Sequence, residues 1–361
     1  MRRRAVTLPA IFGLSGPALD DGERAFFRAA DPAGYILFAR NCAGPGQLRA
    51  LTDALRDLAG RDLPILIDQE GGRVARLKPP HWPLFPAAEA FARLYRVAPM
   101  SAIEAARANA GAMGLLLREA GVTMNCAPVL DLRREGAHDI VGDRSFGSDP
   151  MQVAALGRAA LDGLAAAGVA GCVKHIPGHG RAGVDSHEER PVVAASREDL
   201  EADFAPFRSL RSAPAAMVAH VVYAALDPER PASQSPAVVE TVRKEIGFGG
   251  LLVSDDIVMD ALVGSPAERA RGCVEAGCDL ALHCSADLAE MEEIAGALAP
   301  LGEAARERID GTLLAAPAGP GDWQALAAKR DALLAYAGEG GDGLRPVGTQ
   351  PAMSSRRRRG G

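Results

Sequence analysis

Eight short apolar runs, each closed by turn residues and separated by segments of helical period, constrain this chain more than any other feature. They are Thr7 to Gly16, Gly34 to Arg40, Leu63 to Gly71, Val122 to Leu132, Val169 to Ile176, Ala215 to Tyr223, Gly250 to Ile257 and Cys278 to Cys284. The runs are continuously apolar rather than alternating, as in strands covered on both faces. Helix signals lie between them. Ser101 with Glu104 predicts a capping box ahead of a long helix, and Ser265 with Glu268 predicts another. Ser235-Pro236 and Ser265-Pro266 place a capping serine before proline at the first helical position. Val239, Val242 and Ile246 mark one helix face with Gly247 as its stop; Leu200, Phe204, Phe207 and Leu210 form a second core-facing stripe. Strands and helices in alternation predict an α/β fold, a single-domain (β/α)8 TIM-type barrel. An open doubly wound sheet is the rival, but no GxGxxG turn follows the first run. The barrel is expected over residues 1–337. Residues 338–361, rich in Gly, Pro, Ser and Arg, are expected to form a disordered tail.

Composition narrows the function. Apolar residues make up 48% of the 361 but aromatics only 4%, so the core must be built from Ala, Leu, Val and Ile. The formal charge is −6; without the seven terminal arginines, Arg2 to Arg4 and Arg356 to Arg359, the body carries −13. An acidic body is a poor partner for nucleic acid, whose phosphates require clustered Lys and Arg. Cys42, Cys126, Cys172, Cys273, Cys278 and Cys284 form no CxxC pair and read as small buried hydrophobes. No secretory leader pattern opens the chain and no apolar stretch approaches a membrane span, so a cytoplasmic protein without membrane partners is expected.

Barrel enzymes carry their chemistry where strands end. The third run ends Ile67-Asp68-Gln69-Glu70-Gly71-Gly72-Arg73, with Arg76 close behind. The fourth ends near Asp131, followed by Asp143-Arg144-Ser145-Phe146. The fifth ends Lys174-His175-Ile176-Pro177-Gly178-His179-Gly180, and Asp185-Ser186-His187 comes next. His220 lies on the sixth, and Ser254-Asp255-Asp256 closes the seventh. Charged groups therefore converge from at least five strands. Asp255 and Asp256 are adjacent, and pleating should turn only one toward the barrel mouth. Which one stays open, and the other is expected to hydrogen-bond a neighbouring strand or loop. In Asp-x-His the carboxylate can hold the imidazole in one tautomer, making His187 a candidate general acid and base; an exposed histidine beside an Asx turn is the simpler alternative. Lys174 could form a Schiff base or donate hydrogen bonds to hydroxyls. Arg73, Arg76 and Arg144 point to a hydroxyl-rich or anionic ligand, with one of them expected to serve a structural ion pair. Gly178 and Gly180 read as shaping the loop around His179, and His220 as making a core hydrogen bond.

These stretches resemble family 3 glycoside hydrolases. Ile67-Asp68-Gln69-Glu70-Gly71-Gly72-Arg73-Val74 is similar to their strand-three motif. Lys174 to Gly180 followed by Asp185-Ser186-His187 resembles the signature of the β-N-acetylglucosaminidase branch. Ser254 to Met259 resembles the nucleophile motif, and the resemblance spans roughly Leu8 to Leu334. It departs at Asp143, where Glu is common, and at Val258, where a small polar residue is usual. The resemblance implies a retaining exo-enzyme with Asp255 as nucleophile, His187 as general acid and base, and Asp185 orienting it. It implies that Asp68, Arg76, Arg144, Lys174 and His175 bind the terminal N-acetylglucosamine unit. It further implies a cell-wall fragment, with or without peptide, as substrate, no metal or organic cofactor, and a monomer or weak homodimer. Substrate-assisted hydrolysis, phosphorolysis, a Schiff-base aldolase using Lys174 and a metal-dependent hydrolase remain as alternatives; the last expects an HxH pair on an early strand, and the sequence has none.

Overall fold

The computed structural model describes residues 7–134, 140–183, 190–314 and 321–339. Eight parallel strands close a barrel: β1 (Leu8–Phe12), β2 (Pro32–Leu37), β3 (Ile65–Ile67), β4 (Met124–Asn125), β5 (Ala170–Ile176), β6 (Ala215–Val218), β7 (Leu251–Asp256) and β8 (Leu280–His283). Each pairs with its neighbours in chain order, and β8 returns to β1 with Ile11 opposite Leu282. Every apolar run of the sequence supplies one strand of the barrel. Their continuous hydrophobicity follows from burial on both sides. Ile11, Ile36, Leu66, Cys172, Met217 and Val253 fill the barrel, while Phe12, Tyr35, Leu37, Val173 and Val218 pack outward against the helices.

The helices begin and end largely where local chemistry directs. Ser235 caps Pro236–Lys244, its hydroxyl accepting from the Val238 amide at 3.2 Å. Ser265 and Glu268 close the expected box on Pro266–Ala276. Asp20 and Glu23 close another on Asp21–Ala30, which the sequence reading did not single out. The Ser101–Glu104 box does not form. That helix, Pro99–Glu119, starts earlier, at a proline whose fixed φ favours the first helical position, so Ser101 lies within its first turn. Glu104 instead pairs with Arg107 at 2.7 Å and with Lys329 at 2.5 Å, tying the closing helix, Trp323–Glu339, to this one. The closing helix runs past the expected boundary at Gly338, and residues 340–361 lie outside the described residues. No described helix is long and apolar enough to cross a membrane.

Candidate active site

The C-terminal ends of the strands surround an open pocket of about 830 Å³, part of it open to solvent. Asp68, Arg76, Arg144, Lys174, His175 and Asp255 all line it. The barrel thus assembles six of the eight singled-out residues from the ends of β3, β5 and β7 and the loop after β4. Asp185 and His187 lie outside the described residues.

One side of the pocket is a network of paired charges. Lys174 Nζ donates to Asp68 Oδ1 at 2.8 Å and lies 2.7 Å from Glu70 Oε1. Arg76 Nη2 donates to Asp68 Oδ2 at 3.0 Å, and Arg144 grips both Glu70 oxygens at 2.8 Å. Burial alone would raise the Asp68 and Glu70 pKa values. Lys174, aided by Arg76 and Arg144, outweighs burial and holds both carboxylates below their ordinary range. The same pairing overcomes burial at Lys174 and raises its pKa. A Schiff-base lysine needs a neutral amine, so this ammonium suits donation to hydroxyls instead. Gln69 builds the support for this side. Its side-chain oxygen accepts from the Arg76 and Leu77 amides at 2.8 and 3.0 Å, and its backbone exchanges two bonds with Asn125 at 3.0 and 2.8 Å. Arg73 takes the structural role expected of one arginine, pairing with Asp143 at 2.9 Å.

At the end of β5, His175 Nδ1 lies 2.6 Å from Asp131 Oδ2. Asp131 is fully buried and also accepts the His179 amide at 2.7 Å. Burial would raise its pKa; His175 and the His179 amide reverse this and bring it down to about 2. Burial and His175 together lower His179 to about 4, leaving its ring neutral at pH 7. The glycines around His179 do shape the loop. A side chain on Gly178 would meet Asp203 Cβ at 2.9 Å, and one on Gly180 would meet the Leu132 carbonyl oxygen at 2.0 Å. Asp203, on the helix Arg197–Ser209, is itself buried and binds Arg134 at 3.0 Å and Arg181 at 2.5 Å. It thereby joins the stems of the loops that follow β4 and β5.

Asp255 and Asp256 form the opposite side. Contrary to the pleat argument, both line the pocket. The pairing of β8 with β7 shifts register: Leu280 faces Val253 and Leu282 faces Asp256, so three steps on β7 match two on β8. One extra residue breaks the alternation and re-aims the side chains. A similar shift on β5, where Lys174 faces Met217 and Ile176 faces Val218, accompanies the joint presence of Lys174 and His175 in the pocket. Burial would raise the Asp255 pKa, but His175, His220, the Asp256 amide and Lys174 lower it. At Asp256 burial raises the pKa; the Val258 and Cys284 amides and His283 offset this only in part, and Asp255 adds to the rise. Its Oδ1 accepts from the Val258 and Cys284 amides at 3.1 and 3.2 Å, the bond to a neighbouring strand end expected of one member of the pair. His220 makes the anticipated core hydrogen bonds, to Ser233 Oγ at 2.6 Å and the Asp256 carbonyl at 3.0 Å.

The sequence reading missed Glu70, Asp131 and Asp256 as site residues. Glu70 stood inside the strand-three stretch and Asp131 at the end of the fourth run, so the strand-end rule could have found both. Nothing local announced the register shift that exposes Asp256. Among the described residues, no group of three or more His, Cys, Asp or Glu side chains could hold a metal ion.

Comparisons with known proteins agree with this fold. The glycosyl hydrolase family 3 N terminal domain matches residues 18–313. The β-hexosaminidase of Alkalilimnicola ehrlichii is 41% identical over 282 residues, covering 77% of this chain and 80% of that protein. That of Bordetella avium is 36% identical over 288 residues, covering 78% and 82%. Among solved structures, NagZ from Neisseria gonorrhoeae superposes with a TM-score of 0.80 at 32% identity, covering 92% of this chain and 97% of that one. The same protein in complex with N-trifluoroacetyl-D-glucosamine superposes with a TM-score of 0.81, also at 32% identity over 92% of this chain and 97% of that one.

Proposed function

This chain belongs to glycosyl hydrolase family 3 and is a glycoside hydrolase, and on that premise we propose that it is a retaining exo-β-N-acetylglucosaminidase with Asp255 as its nucleophile. The observation that carries the reading is the contrast in the pocket. Its described cations are already matched to Asp68 and Glu70, whereas Asp255 is a carboxylate held in its charged form with no ion-pair partner at hydrogen-bond distance among the described residues. Internally paired Lys174, Arg76 and Arg144 suit the hydroxyls of a neutral sugar rather than a phosphate, which favours water over phosphate as acceptor. The gonococcal relative's complex with an N-acyl glucosamine supports an N-acetylglucosamine unit in this pocket.

In the first step, Asp255 forms a bond to the anomeric carbon as the glycosidic C–O bond breaks, and protonated His187 gives its proton to the departing oxygen. In the second, neutral His187 takes a proton from water, the water oxygen bonds to the anomeric carbon, and the ester bond to Asp255 breaks. Two displacements return the sugar with β configuration. Asp185 orients His187. Asp68, Arg76, Arg144, Lys174 and His175 hold the sugar, with Asp131 fixing the His175 ring. The substrate is a cytoplasmic peptidoglycan fragment, N-acetylglucosaminyl-β-1,4-anhydro-N-acetylmuramic acid with or without peptide.

The test pairs a chromogenic β-N-acetylglucosaminide with the matching β-glucoside, followed by fluorosugar trapping and peptide mass mapping. Cleavage confined to the N-acetylglucosaminide and a label on Asp255 are the expected results. Activity on the glucoside alone, or an active enzyme that never carries the label on Asp255, overturns the reading. In phosphate buffer the product should be free sugar and not sugar 1-phosphate.

A further inference from the structure

Two fully buried polar side chains, Ser254 and His220, meet the backbone of β7 where its register against β8 shifts. Up to that point β7 alternates: Leu251 and Val253 fill the barrel and Leu252 packs outward. Ser254 continues the outward set, toward Cys273 on the helix Pro266–Ala276. Its Oγ accepts from the Leu282 amide at 3.0 Å and donates to the Asp255 carbonyl oxygen at 2.7 Å. The hydroxyl thus bridges β8 to the peptide group that joins Asp255 to Asp256. The N–H of that same peptide group donates to Asp255 Oδ1 at 2.9 Å. One peptide further on, the Asp256 carbonyl oxygen accepts from His220 Nε2 at 3.0 Å. A carbonyl only accepts, so Nε2 carries the hydrogen. Burial lowers the His220 pKa and favours the neutral ring, whose Nδ1 accepts from Ser233 Oγ at 2.6 Å.

We propose that Ser254 and His220 are positioning residues for Asp255, holding the two peptide groups after it so that its carboxylate points at the anomeric carbon. The inference rests on the reading of Asp255 as the nucleophile and deepens it. In a regular parallel sheet the evenly spaced bonds of neighbouring strands fix every carbonyl. A register shift disrupts that pattern locally. Here side chains supply the missing constraint, and they do so from both flanks. β7 lies between β6 and β8. Ser254 ties the Asp255 carbonyl to β8, and His220, just beyond the end of β6, ties the Asp256 carbonyl to the other side. The route to the carboxylate is short. Ser254 sets the plane of one peptide group, and the N–H of that group binds Asp255 Oδ1. Neither Ser254 nor His220 lines the pocket, so neither acts by touching the sugar. Burying a hydroxyl and an imidazole is costly unless both are hydrogen-bonded. Both spend their bonds on consecutive peptide groups beside the attacking residue. A misplacement of about 1 Å at such a group costs on the order of 100-fold in rate.

The test compares variants that remove each donor, Ser254→Ala and His220→Phe, with variants that keep one, Ser254→Thr and His220→Gln. All are assayed on the chromogenic β-N-acetylglucosaminide with melting curves, beside Asp255→Ala as a control. Ser254→Ala and His220→Phe should each lower kcat by about 100-fold, the scale of a misplaced reacting group. KM should stay within about threefold of wild type, because the wall of Asp68, Glu70, Lys174, Arg76 and Arg144 is untouched. Labelling of Asp255 by the fluorosugar should slow in step with kcat. Ser254→Thr and His220→Gln should recover kcat to within about tenfold of wild type. A folded Ser254→Ala enzyme with wild-type kcat overturns the proposal, whatever its melting temperature. So does a rise in KM with kcat unchanged, or a Ser254→Thr enzyme that folds and is as poor as Ser254→Ala. If Ser254→Ala fails to fold, His220→Phe against His220→Gln decides by the same criteria. An active Asp255→Ala enzyme would instead overturn the nucleophile assignment, so the two failures are separable.

Discussion

The two sides of the pocket solve opposite problems. Around Asp68, Glu70, Lys174, Arg76 and Arg144, each charge is neutralised by a neighbour within 3.0 Å. Such a wall is rigid and its hydrogen-bonding directions are set before a ligand arrives. Across from it, Asp255 and Asp256 make backbone hydrogen bonds but, among the described residues, no ion pair. A carboxylate already locked to a cation is a weak nucleophile, and a loose cation is a poorly directed binding group. The difference therefore separates positioning from bond-making, and the two sides should respond differently when altered.

The largest effect is expected on the unpaired side. Asp255→Asn should lower kcat by about 10⁴-fold or more, the scale of losing a covalent participant, while thermal unfolding stays close to wild type. Stopped-point hydrolysis assays with a melting curve would reveal a variant that loses stability instead, which would blur the contrast. On the paired side stability should fall together with activity. Lys174→Met leaves Asp68 and Glu70 buried without their shared cation, and should cost about 3–5 kcal/mol of stability in urea unfolding as well as activity. Unchanged stability in this variant would mean that the network is not preorganised.

Acid sharpens the comparison further. Asp131 has a folded pKa of about 2 against an ordinary 3.8, so its contribution is complete above pH 4 and is lost as pH falls through 2. His179, lowered to about 4 from 6.5, also binds its proton more readily when unfolded. Its contribution is complete above 6.5 and fades as pH falls toward 4. Unfolding free energy should decline from pH 7 to pH 4, and His179→Gln should flatten that slope. The smallest effect belongs to the rim: Arg73→Ala breaks a half-exposed pair with Asp143 and should change stability by no more than about 1 kcal/mol.

Much of this was legible in one dimension because it depends on local physics. Ser235 and Ser265 cap the helices they precede, since a cap needs only its own first turn. Ser101 misled because proline at position 99 offered an earlier start, a competition between neighbouring signals that pattern alone does not rank. Lys174 and Asp68 were each visible at strand ends. Their 2.8 Å contact spans 106 residues of chain and exists only once the barrel closes.

The sequence by itself determined the barrel, through eight continuously apolar runs that have no stable fate except burial on both faces. It also determined which end of the barrel carries chemistry, because polar and charged residues follow those runs. The tertiary structure alone decided which charges cancel and which remain. Pairing within the Lys174 network depends on distances between separate strands. The presentation of both Asp255 and Asp256 depends on a register shift against β8 that no residue of β7 encodes alone. Strand alternation is a property of one segment; register is a property of two, and only packing sets it.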